Sequence, residues 1–132
     1  DKLLDKAKQA GIENVLVDTT VLDIPDPGPA GMTCYLVKEK DGFPVGCGAH
    51  NAVDMWNRRK KLDPEVYLTS IVVANVFPVI MGANFMLYGP IKHASKIYRP
   101  VAIVDAYVAY SAMQKYGGRP STTHPIFRIF RT

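Results

Sequence analysis

With 132 residues, 14.6 kDa and 48% hydrophobic side chains, the chain has enough apolar material for one domain with a real core, and a single globular domain is the starting expectation. Its formal charge of +4 comes without an aromatic-interleaved basic stripe, which excludes a dedicated nucleic-acid surface; the densest basic run, residues 58–61, falls where a helix should end and the macrodipole favours cations. The only cysteines, Cys34 and Cys47, lie in different segments without a CxxC or His/Cys ligand pattern, which argues against zinc and a disulfide framework and fits a reducing cytoplasm.

The sequence opens at Asp1, with no initiator Met, directly in helical periodicity, so further residues upstream are expected. Leu3, Leu4, Ala7 and Ala10 share one helical face and Gly11 follows as a terminator, which predicts a helix over residues 2–10 that covers a preceding strand. Residues 14–18 form a short apolar strand ending on Asp18, and an Asp- and Pro-rich loop runs on to Pro29. A second helix spans residues 29–40, with Met32, Tyr35 and Leu36 as its apolar side and Lys38, Glu39 and Lys40 outside; Asp41 and Gly42 close it.

Residues 43–47 form the next strand, which turns through Gly48, Ala49 and His50 into a helix near Asn51 whose inner face offers Val53 and Trp56. Asp63, Pro64 and Glu65 supply an N-cap, a first-turn proline and an acidic first turn for a helix reaching about Met81, with Pro78 kinking its last turn. Residues 85–88 are the third strand. Gly89 and Pro90 then turn into a helix from Ile91, residues 101–116 form a longer one, and Gly117–Gly118 ends it. The tail, residues 119–132, carries Pro, Ile and Phe side chains suited to packing on a partner or on the floor of the fold.

No charge occurs between Val66 and Ile91, which raises a transmembrane span. Asn75, Pro78, Gly82 and Asn84 interrupt the run, and its period changes from helical to strand-like, so a buried helix followed by a buried strand is the better reading. There is no signal-peptide pattern.

Short apolar strands alternating with helices predict an α/β fold with parallel strands and right-handed crossovers. Three such units cannot close an eight-stranded TIM barrel, which takes about 250 residues, so the expectation is about three strand-helix units of a (β/α)8 barrel, with an open doubly wound sheet as the alternative. In barrels the chemistry gathers at the carboxyl ends of the strands. That selects Asp18, the turn from Gly46 through Gly48 to Asn51, and the turn Tyr88-Gly89-Pro90.

Each has a plainer reading. Asp18 is also a good turn former, and Asn51 a good N-cap. Residues 46–51 follow GxGxxG except at the last position, where Asn51 replaces glycine, so a dinucleotide site is weakly supported. Glycines let main-chain N–H groups approach a ligand, and an Asn amide donates and accepts at once, which suits a heterocycle. Tyr88 and Gly89 end a strand at a helix start, where a ligand's anionic or carbonyl groups could meet free N–H groups. His50 could act as an acid or base, but as an exposed turn histidine it reads rather as a bystander; His93 and His124 show no partner and are weaker candidates still. Asp105 and Asn75 read as hydrogen-bonding groups within helix packing, and nothing marks the Cys47 thiol as activated.

Residues 14–25 (NVLVDTTVLDIP), 44–54 (PVGCGAHNAVD) and 81–90 (MGANFMLYGP) resemble the H-subunit family of the tetrahydromethanopterin S-methyltransferases, and the likeness spans nearly the whole chain. More distantly, a strand ending in Asp, a glycine-rich strand end followed by Asn, and a last apolar strand are similar to the pterin-binding methyltetrahydrofolate:corrinoid methyltransferases. Where those carry Gly-Leu-Ser-Asn, this chain has Gly48-Ala49-His50-Asn51.

The resemblance implies the last three units of a TIM-barrel methyltransferase domain, with the upstream half outside this chain. It implies passage of the N5-methyl group of methyl-tetrahydromethanopterin to the cobalt(I) of a corrinoid protein, on the route to methyl-coenzyme M. The methyl-tetrahydropterin is then the substrate, and the cobamide is carried by a partner subunit of a membrane-associated complex. A homodimer, and a cytoplasmic position peripheral to the membrane, go with it. Asp18 would hold the pterin's amino and ring N–H edge and Asn51 would lie near N5, with Gly46, Gly48, Tyr88 and Gly89 lining the substrate; no resident metal is implied. Two other functions remain open: a barrel enzyme of different chemistry, such as a phosphate-handling isomerase or lyase that binds an anion at Gly89, and a non-catalytic interaction fragment of a membrane-associated complex.

Overall fold

The computed structural model describes residues 2–22 and 24–130. Asp23, inside the first family-like segment, and the last two residues of the tail lie outside the described residues. The chain forms α1 (Lys2–Gln9), β1 (Val17–Asp18), α2 (Gly28–Asp41), β2 (Val45–Cys47), α3 (His50–Lys60), α4 (Pro64–Ile80), β3 (Phe85–Met86), a 3-10 turn (Ile91–His93), α5 (Ala94–Tyr116) and α6 (Ile126–Ile129).

The three strands form one parallel sheet in the order β1-β2-β3, without reversal of strand order. Val17 pairs with Val45 and Asp18 with Gly46; Gly46 pairs in turn with Phe85, and Cys47 with Met86. All three residues of β2 are buried, as a central strand of a parallel sheet requires. Asn84 locks the entry to β3: its N–H donates to the Val45 carbonyl at 2.7 Å, and its Oδ1 accepts from the Val45 N–H at 3.2 Å and from Lys38 Nζ at 3.1 Å. The core gathers Cys34, Val45, Cys47, Ala52, Val53, Ile71 and Ile97 between the sheet and helices α2 to α5.

Several boundaries follow the sequence. The N-cap of α4 is Asp63, whose carboxylate accepts from Glu65 N–H at 2.8 Å with Pro64 in the first turn. Helices α2 and α5 close at Gly42 and Gly117. The uncharged stretch becomes α4 and β3, and no helix among the described residues is long and apolar enough to cross a membrane.

Other expectations need correction. The strands are two or three residues long, not four or five, because β1 and β3 each pair on one side only and their flanks have no ladder to join. Met32, Tyr35 and Leu36 are exposed; α2 turns Ala30, Gly31 and Cys34 inward instead, since the Phe77 ring of α4 lies so close that Gly31 leaves no room for a side chain. The expected break near Pro100 is absent. Instead α5 runs unbroken for 23 residues, and the Lys96 carbonyl that loses its donor to the proline belongs to an exposed residue that water can reach. The tail folds back on α5: His124 Nε2 lies 3.1 Å from Asp105 Oδ2, Ile126 is buried, and the Phe130 ring stacks 5.9 Å from that of Tyr107. His124 therefore has a partner, and Asp105 binds the tail rather than a neighbouring helix.

Candidate functional site

Parallel pairing in register carries the three sequence-selected turns to the same end of the sheet. Asp18 ends β1 beside Gly46, the Gly48 turn follows β2, and Leu87 N–H donates to the Cys47 carbonyl at 3.1 Å, bringing Tyr88 and Gly89 alongside. Neighbouring parallel strands stand about 4.8 Å apart, so the row from Asp18 to Gly89 is two strand spacings wide, the scale of a fused bicyclic ring.

Asp18 is exposed, and one carboxylate oxygen accepts from Thr20 N–H at 2.8 Å. The turn-forming reading thus holds for that oxygen, and Thr20 adopts a positive φ of 56° in the turn. The other oxygen makes no hydrogen bond to a described residue. Next to it Thr19 is a tie: its N–H donates to the Gly46 carbonyl at 2.9 Å and its hydroxyl to the Ala30 carbonyl at 2.9 Å.

Asn51 is not the N-cap of α3. That place belongs to Ala49, which has no side chain to cap with, and Asn51 stands in the first turn with its N–H donating to the Gly48 carbonyl at 3.0 Å. Its amide is exposed, makes no hydrogen bond to any described residue, and lies against Gly48, where a side chain would press on Nδ2 at 3.3 Å. An unengaged amide at a strand end can serve a ligand as donor and acceptor.

Gly46 is buried within β2, and a Cβ there would collide with the Phe85 carbonyl. Its lack of a side chain is thereby explained by the close approach of β3. Tyr88 is half-buried, with its ring 4.8 Å from that of Tyr98. Gly89 has φ +91° and lies on the face of the His50 ring, with no space for a Cβ. Beyond Pro90 comes a 3-10 turn, so the first α-helical N–H groups belong to α5 from Ala94 onward, away from Gly89. This weakens the anion site expected there.

The larger correction concerns His50, expected in the open and found fully buried at 0% exposure. Its Nε2 lies 3.3 Å from the Tyr67 hydroxyl, which donates to Asp54 Oδ1 at 2.7 Å; Nε2 itself is 3.5 Å from that oxygen. The ring of His93 is 5.7 Å away. Burial pushes the His50 pKa below its ordinary value, against the attraction of Asp54. Burial, then the hydrogen bond to Asp54, pushes the Tyr67 hydroxyl up to about 12. The spacing of His50 and Asp54, four residues apart on one helix, was a visible signal for this cluster; the contribution of Tyr67 and His93 from distant segments was not.

Cys34 and Cys47, also fully buried, meet in the core, and Thr19 Oγ1 lies 3.6 Å from Cys34 Sγ. A hydrogen bond between the two thiols lowers the pKa of Cys34 and raises that of Cys47. Asn75 spends its Nδ2 on the Ile71 carbonyl of its own helix at 2.7 Å. No group of three His, Cys, Asp or Glu among the described residues is placed to hold a metal ion. A cavity of about 670 Å³ lies at the opposite end of the sheet, lined by Leu4, Lys8, Ile12, Glu13 and Phe43. It is remote from the polar strand ends and takes none of the selected residues.

The fold and site define an α/β protein that presents polar groups at the carboxyl ends of parallel strands. The chain belongs to the family described as tetrahydromethanopterin S-methyltransferase MtrH subunit, whose sequence profile matches residues 1–118. It is 33% identical over 131 residues to the H subunit of tetrahydromethanopterin S-methyltransferase from Methanothermobacter thermautotrophicus, covering 96% of this chain and 42% of that protein. Against the same subunit from Methanocaldococcus jannaschii it is 34% identical over 140 residues, with 96% and 44% covered. For the Methanosarcina acetivorans protein of the same name the values are 30% over 136 residues, 96% and 43%. The chain thus spans less than half the length of these relatives.

Proposed function

We propose that these residues form part of a methyltransferase subunit that passes the N5-methyl group of methyl-tetrahydromethanopterin to the cobalt(I) of a corrinoid carried by a partner subunit, on the route to methyl-coenzyme M. Family membership supports the chemistry, and one structural observation supports the site: Asp18, Asn51 and the Tyr88–Gly89 turn sit side by side at the carboxyl ends of three consecutive parallel strands. The unreversed strand order suits three units of a TIM barrel, and we read residues 1–132 as its C-terminal part.

A tertiary amine is a poor leaving group, so methyl departure is helped when N5 gains positive character. In this reading the free Asp18 oxygen accepts from the pterin's amino and ring N–H edge and fixes the ring. The Asn51 amide lies near N5, able to accept from it once protonated and to donate when it is not. Gly48 and Gly89 keep that surface free of side chains, and the Tyr88 ring borders it. Gly46 acts one step behind, by letting β3 approach. The methyl carbon then bonds to cobalt, and the C–N electron pair stays on N5.

The protein works, in this proposal, as a homodimer within a membrane-associated assembly, on the cytoplasmic side and peripheral to the membrane; the exposed aromatic face of α5, with Tyr107, Tyr110 and Tyr116, is surface available to partners. The test is calorimetry with methylated tetrahydropterin on the complete protein. Binding is expected, and Asp18→Asn should weaken it about 10- to 100-fold, the value of a hydrogen bond to a charged group. Unchanged affinity in the variant defeats the assignment.

A further inference from the structure

The proposed transfer leaves His50, Tyr67, Asp54 and His93 without a role, although His50 stands between both halves of the candidate site. Its ring is the surface under Gly89, and the next residue in the chain is Asn51.

The hydrogen bonds define its state. Tyr67 spends its proton on Asp54, so toward His50 the hydroxyl oxygen can only accept, and His50 Nε2 must carry the proton. Nδ1 is then the bare acceptor of a neutral imidazole, and it is buried without a hydrogen-bond partner, as is His93 Nε2. An unsatisfied buried acceptor is costly to a fold, and its natural relief is protonation. A proton on Nδ1 would seek the Tyr88 carbonyl, which favours the charged form of His50. It would thereby pull on the turn that lies on the ring.

We propose that His50 is a positioning residue for the methyl transfer: as a neutral imidazole it supports the Tyr88–Gly89 turn and the first turn of α3 bearing Asn51, and its protonation draws the Tyr88 carbonyl toward Nδ1 and reshapes that bed. The substrate named here rests on the function proposed above. The groups facing His50 are Asp54 from α3, Tyr67 from α4, His93 from the 3-10 turn and the Tyr88 carbonyl at the end of β3. Burial and His93 favour the neutral ring; Asp54 and the Tyr88 carbonyl oppose them.

The test follows binding of methylated tetrahydropterin to the complete protein by calorimetry from about pH 8 to about pH 5, for wild type, His50→Phe and Asp54→Asn. Without pterin, the Gly89 amide resonance is followed over the same range. Wild type should lose affinity on acidification, approaching about tenfold per pH unit for one linked proton, and the Gly89 amide should titrate with the same midpoint. His50→Phe keeps a ring under Gly89 and should remove that component from both curves; the pterin's own titration, common to all the proteins, remains. Asp54→Asn removes the anion that favours imidazolium and should move the midpoint to lower pH. A wild-type profile in His50→Phe, or an unmoved midpoint in Asp54→Asn, overturns the proposal. Because Asp54 is 36% exposed, the second variant serves if the first fails to fold. Absence of pterin binding by wild type near neutral pH defeats the methyl-transfer reading instead, and the Gly89 resonance still decides the role of His50.

Discussion

Adding one methyl group to Gly46 would drive it into the Phe85 carbonyl of the neighbouring strand, and backbone there has no rotamer by which to yield. Gly46→Ala should therefore cost about 1–3 kcal/mol of stability, the usual range for overpacking, read as a lower urea midpoint. His50 makes a second prediction at this scale. Its folded pKa lies below the 6.5 of the unfolded chain, so the unfolded state takes up the proton first. The stability it contributes is intact above pH 6.5 and falls as the pH drops through the folded value. Thermal midpoints should decline over that window in wild type and decline less in His50→Phe. Sequence alone made Asp18 and Asn51 candidates, because polar residues at the ends of apolar strands stand out. The burial of His50 was not legible, because its cover comes from Tyr67 and His93, 17 and 43 positions away, and no local period records that.

The elements obeyed local chemistry at the start of α4 and departed from it at Asn51, at Pro100 and at the large side chains of α2. Asp63, Pro64 and Glu65 started α4 as their chemistry requires. Asp63→Ala should cost about 1 kcal/mol through the loss of its bond to Glu65 N–H, measurable by denaturant titration. Pro100 failed to divide α5 because a helix held by tertiary packing on α4 tolerates one missing bond. In α2, Met32, Tyr35 and Leu36 stayed outside because the space between sheet and α4 admits only Ala30, Gly31 and Cys34. Hydrophobicity marked a face there, whereas available volume chose it.

For the whole molecule, the packing of helices on the sheet puts Val45 and Cys47 of β2 out of reach of solvent. Cys34 and Cys47 share that position, so both thiols should resist alkylation in the native protein and react together on unfolding, counted by intact mass. Early modification of either thiol would contradict the packing of α2 on β2. The parallel α/β class and the sheet's polar end were readable from the rhythm of strands and helices. How α6 returns to α5 was not, since Phe130 and His124 meet Tyr107 and Asp105 across 19 to 23 positions, beyond any local period.

Trp56, the one tryptophan of the chain, stands on α3 five residues beyond Asn51, 37% exposed in a groove with Pro25, Asp26, Val73 and Phe77. One wall of that groove is the loop that leads away from Asp18. An indole at such a boundary changes its emission colour as water is admitted or expelled. The helix bearing Asn51 and the loop leaving Asp18 thus share a built-in optical reporter, which needs no dye.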